Sequence, residues 1–173
     1  MAKVELLIPF ILRWEGGFVD DPDDRGGATN KGITIATYRL YRRQRGYATT
    51  TVADLKNISD AEWADVLKSL YWDKWQGDKI VNQSIASILV DWVWASGSYG
   101  IKLPQKMLGV TADGVVGNQT LAAVNNYTPQ CELFEKIRQE RITFVNRIVA
   151  ARPANRKFRR GWLNRINDLK FEE

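Results

Sequence analysis

Residues Asn82 to Ala95 read NQSIASILVDWVWA. With Ile85, Ile88, Leu89, Trp92 and Val93, the segment is apolar on nearly every side of a helix, so other helices must surround it as the centre of a domain. The rest of the chain supplies them. Val4, Leu7, Ile8, Ile11 and Leu12 recur at helical spacing. A second helix is expected from about Ile35 to Arg45. Ser59 with Glu62 forms a capping-box signature that opens a helix carrying Trp63, Val66, Leu67, Leu70 and Tyr71. SGSYG, at Ser96 to Gly100, breaks the pattern and marks a boundary. Beyond it come a short helix, a Gly-rich turn and another helix. A longer helix over Cys131 to Ala151 is stopped by Pro153, and Phe158, Trp162, Ile166 and Leu169 stripe a last one. GITI, at Gly32 to Ile35, suits a short strand. The expected class is mainly α, with at most a small β element near residues 18–35. The expected domains are residues 1–97 and 98–173, within the 173 residues that allow one ordinary domain or one with an appendage.

Composition narrows the chemistry. There is no histidine and one cysteine, Cys131. That disfavours a zinc centre, a Ser-His-Asp triad and a Cys-His pair, and leaves carboxylates to run any hydrolysis. No apolar stretch approaches the ~20 residues of a membrane span. The N-terminal MAKVELLIPFILRWEGG, interrupted by Glu5 and Arg13, reads as an amphipathic helix rather than a signal peptide. The expectation is a protein made in the cytoplasm, monomeric and without membrane insertion. The formal net charge is +5, and from Glu135 to Lys170 eleven Lys or Arg face three Asp or Glu. Such a surface suits an anionic polymer or is simply a set of solvated helix faces. No nucleic-acid motif is visible, so nucleic acid is not an expected partner.

The stretch from Trp14 to Thr34, WEGGFVDDPDDRGGATNKGIT, carries the sharpest signal. Glu15 falls four residues after Ile11 on the inward face of the first helix, and Gly16 and Gly17 are placed to stop that helix. Four aspartates follow: Asp20, Asp21, Asp23 and Asp24. A calcium loop of EF-hand type needs a Glu at its twelfth position, whereas counting from Asp20, Asp21 or Asp23 reaches Lys31, Gly32 or Thr34. Ordinary turn chemistry accounts for Asp20, Asp21 and Pro22 but not for a carboxylate on a buried stripe, unless Arg13 or Arg25 pairs with it. Two carboxylates in unlike surroundings offer a third reading, glycosidase chemistry. A partly desolvated Glu15 keeps a proton for a leaving oxygen, while Asp24 on a solvated loop stays ionised.

Glu15, Gly16, Gly17, Phe18, Val19, Asp21, Pro22, Asp24, Gly26, Gly27, Thr29, Gly32, Ile33 and Thr34 together resemble the signature of the glycosyl hydrolase 108 family of phage-type N-acetylmuramidases. The resemblance implies a lysozyme-like fold and bacterial peptidoglycan as the partner, with no cofactor and no metal. It also implies that Glu15 is the catalytic acid. The wider superfamily spacing matches Asp24 and, one residue short, Thr29, with Thr34 as the alternative hydroxyl. YWDKWQGDKI and ILVDWVWASG are similar to the family's second half, which implies substrate contacts from Tyr71, Trp72, Trp75 and Asp91. From Gly100 onward, Gln105, Leu108, Gly109, Asp113, Gly114, Gly117 and Thr120 resemble a predicted peptidoglycan-binding domain. By analogy with phage endolysins, the enzyme is expected to reach the wall after holin-type release. A lytic transglycosylase using Glu15 alone and a non-catalytic wall-binding module are the alternatives.

Overall fold

The computed structural model describes residues 1–23 and 26–173. Its contacts divide the chain into two compact units, Glu5–Leu70 and Met1–Val4 with Tyr71–Glu173.

In the Glu5–Leu70 unit, helix α1 spans Ile8–Trp14. The single helix expected from Val4 is split, because Pro9 in the first turn sets the start of α1 and leaves Val4–Leu6 as a 3₁₀ turn. Leu7 and Ile11 are buried, whereas Leu12 points outward. Strands β1 (Thr29–Asn30) and β2 (Ile33–Thr34) pair antiparallel, with Thr29 opposite Thr34 and Asn30 opposite Ile33. Lys31 and Gly32 connect them with φ of 50° and 83°. Positive φ at both central residues is the twist that a two-residue hairpin needs.

Helix α2 (Ile35–Gln44) follows directly, and α3 (Val52–Lys56) is opened by a reciprocal capping box between Thr51 and Asp54. The side-chain amide of Asn30 donates to Leu55 O and Lys56 O, closing off the last carbonyls of α3 against the hairpin. Helix α4 (Asp60–Leu67) starts at Ser59, whose hydroxyl accepts from Glu62 N–H. The other half of that expected box is replaced. The Glu62 carboxylate pairs with Arg42 at 3.2 Å and accepts from the Tyr38 hydroxyl. Trp63 Nε1 donates to Lys31 O, so the buried indole holds the hairpin turn. After α4 the helix widens into a π-helical stretch, Lys68–Trp72, and then tightens into a 3₁₀ turn, Asp73–Trp75.

In the second unit, helix α5 (Gln83–Ser96) is capped by Asn82 and buried on most sides, as its all-round apolar pattern requires. Helices α6 (Tyr99–Leu108) and α8 (Gln130–Ala151) pack on α5. Helix α7 (Asn118–Asn125) packs on α6, and α9 (Arg156–Asp168) on α8. Gly100 makes the α5–α6 crossing possible, since a Cβ there would lie 2.5 Å from Val93 N. Pro104 sits inside α6 and has no N–H for the carbonyl of Gly100 four residues earlier. The indole N–H of buried Trp75 takes that carbonyl instead, at 3.1 Å. Among the described residues, no helix is long and apolar enough to cross a membrane.

Candidate active site

Glu15 is the C-cap of α1. Its N–H still donates to Ile11 O at 3.0 Å, but its backbone has turned extended, with φ −96° and ψ 143°. The residue leaves the helix at this point, so its side chain is half-buried rather than lodged on the apolar stripe with fully buried Ile11. Gly16 and Gly17 are exposed and neither adopts positive φ. The extended backbone of Glu15, and not a left-handed glycine, ends the helix.

Four residues on, Val19 and Thr29 exchange both backbone hydrogen bonds at 2.8 Å. This bridge closes residues 20–28 into a loop whose base lies within about 14 Å of the Glu15 Cα, the reach of four extended residues. Asp21 Oδ1 accepts from Asp23 N–H at 2.9 Å, the turn role expected of this cluster. Asp24, the expected second carboxylate, and Arg25 lie outside the described residues.

The N–H and C=O of Thr29 both face Val19, so its pairing with Thr34 is of the non-hydrogen-bonded kind, in which cross-strand side chains stand closest. The hairpin therefore sets the two candidate hydroxyls side by side. That of Thr34 is engaged as the N-cap of α2. It accepts from Thr37 N–H at 3.2 Å and donates to the Thr37 hydroxyl at 3.1 Å. Thr29 is half-buried in the strand that leads from the loop.

The expected substrate contacts, all in the second unit, fare differently. Trp72, Trp75 and Asp91 have no exposed surface, which corrects the expectation that they meet a sugar. A ring stacks on a sugar only through an open face. Trp72 instead donates to Asp78 and packs so closely on Gly77 that a Cβ there would lie 2.2 Å from its ring. Asp91 is bound by Arg141 of α8 at 3.1 Å and Arg165 of α9 at 2.8 Å. Tyr71 is half-buried beside half-buried Trp94, with ring centroids 4.7 Å apart. Sequence reasoning passed over Trp94, because Trp92 and Trp94, both within three positions of Asp91, look alike until burial separates them.

The residues that resemble a peptidoglycan-binding domain form one knot. Buried Gln105 shares its amide N–H groups among Val115 O, the Thr120 hydroxyl and Asp113 Oδ1, and its oxygen accepts from Gly114 N–H. Asp113 also accepts from Val115 N–H, and these bonds hold its carboxyl below the usual carboxylate range. Gly114 turns the chain at φ 76°. These residues build the α6–α7 turn.

A mainly α chain with one short hairpin beside a helix-terminal glutamate is a lysozyme-like fold. The solved structure of SagA from Brucella abortus is similar to it with a TM-score of 0.79 and 29% identity, over 96% of this chain and 90% of that one. Residues 8–97 match the family described as Glycosyl hydrolase 108, and residues 99–167 match the one described as Predicted Peptidoglycan domain. No curated protein matches. The first match covers more than half of the chain, which belongs to the glycosyl hydrolase 108 family. It is a glycoside hydrolase that acts on peptidoglycan.

Proposed function

We propose that the protein is an N-acetylmuramidase, cleaving the β-1,4 bond between N-acetylmuramic acid and N-acetylglucosamine. The observation that carries this reading is the position of Glu15: half-buried at a helix end, four residues before the bridge between Val19 and Thr29. A carboxyl at the open end of a helix leaves room for a polymer beside the group that would act as general acid. Glu15 gives its proton to the glycosidic oxygen as the bond to the muramic acid anomeric carbon breaks. Asp24 and the Thr29 hydroxyl hold the attacking water and offset the positive charge that develops on the sugar ring. The Tyr71–Trp94 pair offers an aromatic surface for a sugar, and residues 98–173 bind the same polymer.

Digestion of purified peptidoglycan in ¹⁸O-labelled water, followed by mass spectrometry, tests this. The label is expected on the new reducing end of muramic acid. Unlabelled 1,6-anhydro ends would refute hydrolysis and make the protein a lytic transglycosylase, while label on N-acetylglucosamine would move the cut to the other bond.

A further inference from the structure

From Arg141 to Asn167 the chain holds eight Lys or Arg and no Asp or Glu. Two of the eight, Arg141 and Arg165, turn inward to buried Asp91. The other six are Arg147, Arg152, Arg156, Lys157, Arg159 and Arg160. All six are exposed, and among the described residues none of them has a carboxylate within ion-pair distance. They belong to the end of the second unit where α8 gives way to α9 through a 3₁₀ turn at Pro153–Asn155. The packing of α9 on α8 gathers them. Arg159 Nε donates to Asn146 Oδ1 at 2.9 Å, which sets the first turn of α9 against the last turns of α8. That first turn carries Arg156, Lys157 and Arg159 and no acidic residue, so its charges stand against the helix dipole. An ordinary solvated face mixes both signs of charge; this one does not.

The patch is not only charged. The apolar stripe of α9 runs from buried Ile166 through half-buried Trp162 and out to Phe158, which is 47% exposed. Phe158 stacks with Trp162 at 5.7 Å between centroids, and Lys157 Nζ lies 5.0 Å from the Phe158 centroid. A charged polymer in solution would use the six cations and leave the Phe158 ring in water. A nucleic-acid base needs an open ring face to stack on, and Trp162 and Lys157 already engage this one. A lipid surface uses both parts. Headgroup phosphates take the cations, the long Arg and Lys stems lie along the interface, and the ring enters the boundary of the acyl chains.

We infer that the α8–α9 end of the second unit docks on a membrane surface of anionic glycerophospholipid. The six cations meet its phosphates, and Phe158 sits at the edge of the hydrocarbon. Clusters of about four to eight Lys or Arg on an amphipathic helix are what anionic leaflets attract. The protein lies on the surface rather than crossing it, since no described helix is long and apolar enough to span. The inference goes beyond the hydrolase reading and does not depend on which bond is cut.

The test is cosedimentation of the full chain with vesicles of phosphatidylcholine alone and of phosphatidylcholine mixed equally with phosphatidylglycerol. Binding is expected to the mixed vesicles only, and it should weaken as salt is raised. Each cation near an anionic surface contributes about a fivefold factor in partitioning, so Arg156→Gln combined with Arg160→Gln should lower it by about tenfold or more. Phe158→Ala should lower it by about threefold or more through lost apolar contact. Far-ultraviolet spectra of both variants check that the helices stand. Failure to bind the mixed vesicles, equal binding to both vesicle types, or binding unchanged in the arginine double variant would overturn the inference. Vesicle binding that Phe158→Ala leaves unchanged would overturn the lipid assignment, as would equally tight binding of a short DNA duplex. The vesicles hold no peptidoglycan, so either result leaves the hydrolase reading as it is.

Discussion

Replacing Glu15 by Gln keeps the shape of the side chain and removes the proton it gives to the leaving oxygen. Peptidoglycan cleavage should fall by about 10²–10⁴-fold with the far-ultraviolet spectrum unchanged. Asp24→Asn should cut turnover sharply, whereas Asp20→Asn should be almost silent; cleavage assays that find Asp20 the sensitive position would reassign the second carboxylate. A different carboxylate reports on stability. The Tyr41 hydroxyl and then Arg45 bind Asp65 and hold its pKa below the ordinary carboxylate value. A depressed folded pKa contributes stability above the unfolded carboxylate range, and that contribution is lost as pH falls through the folded value. Asp65→Asn should therefore lower the melting temperature at neutral pH and make no difference in strong acid. The side chain is 44% exposed, so solvent screening keeps the effect small, and thermal melts across pH measure it.

At the scale of the element, the α5–α6 crossing rests on one missing methyl group. Gly100→Ala would press a Cβ against the α5 backbone, costing about 2 kcal/mol and several degrees in Tm. Gly16→Ala meets no described atom within 4 Å and needs no special φ, so it should change stability by no more than about 0.5 kcal/mol in the same melts. The contrast explains what the sequence made legible. Long periodic runs announced α2, α5, α8 and α9 closely, because an apolar stripe leaves a helix few alternatives. Helix α3 went unread, although Thr51 and Asp54 spell its cap, because five residues are too short to show a period. The π-helical widening after α4 has no one-letter signature at all. At the site, the order of residues located Glu15 and the hairpin threonines. Whether a tryptophan faces a sugar or the core is decided by packing across the unit, which spacing does not record.

For the molecule as a whole, charge and contact pattern set the remaining expectations. The net charge of +5, with its surplus late in the chain, should draw the enzyme to anionic wall material. At physiological salt the field reaches only about 8 Å. Raising salt from a few millimolar to that level should slow attack on intact sacculi by about tenfold. Initial rates on short, peptide-free glycan fragments should hardly change, and a sacculus rate indifferent to salt would remove steering from the account. A different long-range dependence runs through Trp75, Gly100 and Pro104. The proline deprives a helix carbonyl of its usual donor, and a tryptophan far back in the sequence provides another. Neither position can be inherited on its own terms. A proline at 104 makes an indole at 75 the residue to keep, and losing the proline first would relieve position 75 of that hydrogen bond while its burial still called for a large apolar ring, so the order in which the two change decides whether a descendant passes through an unpaired buried carbonyl.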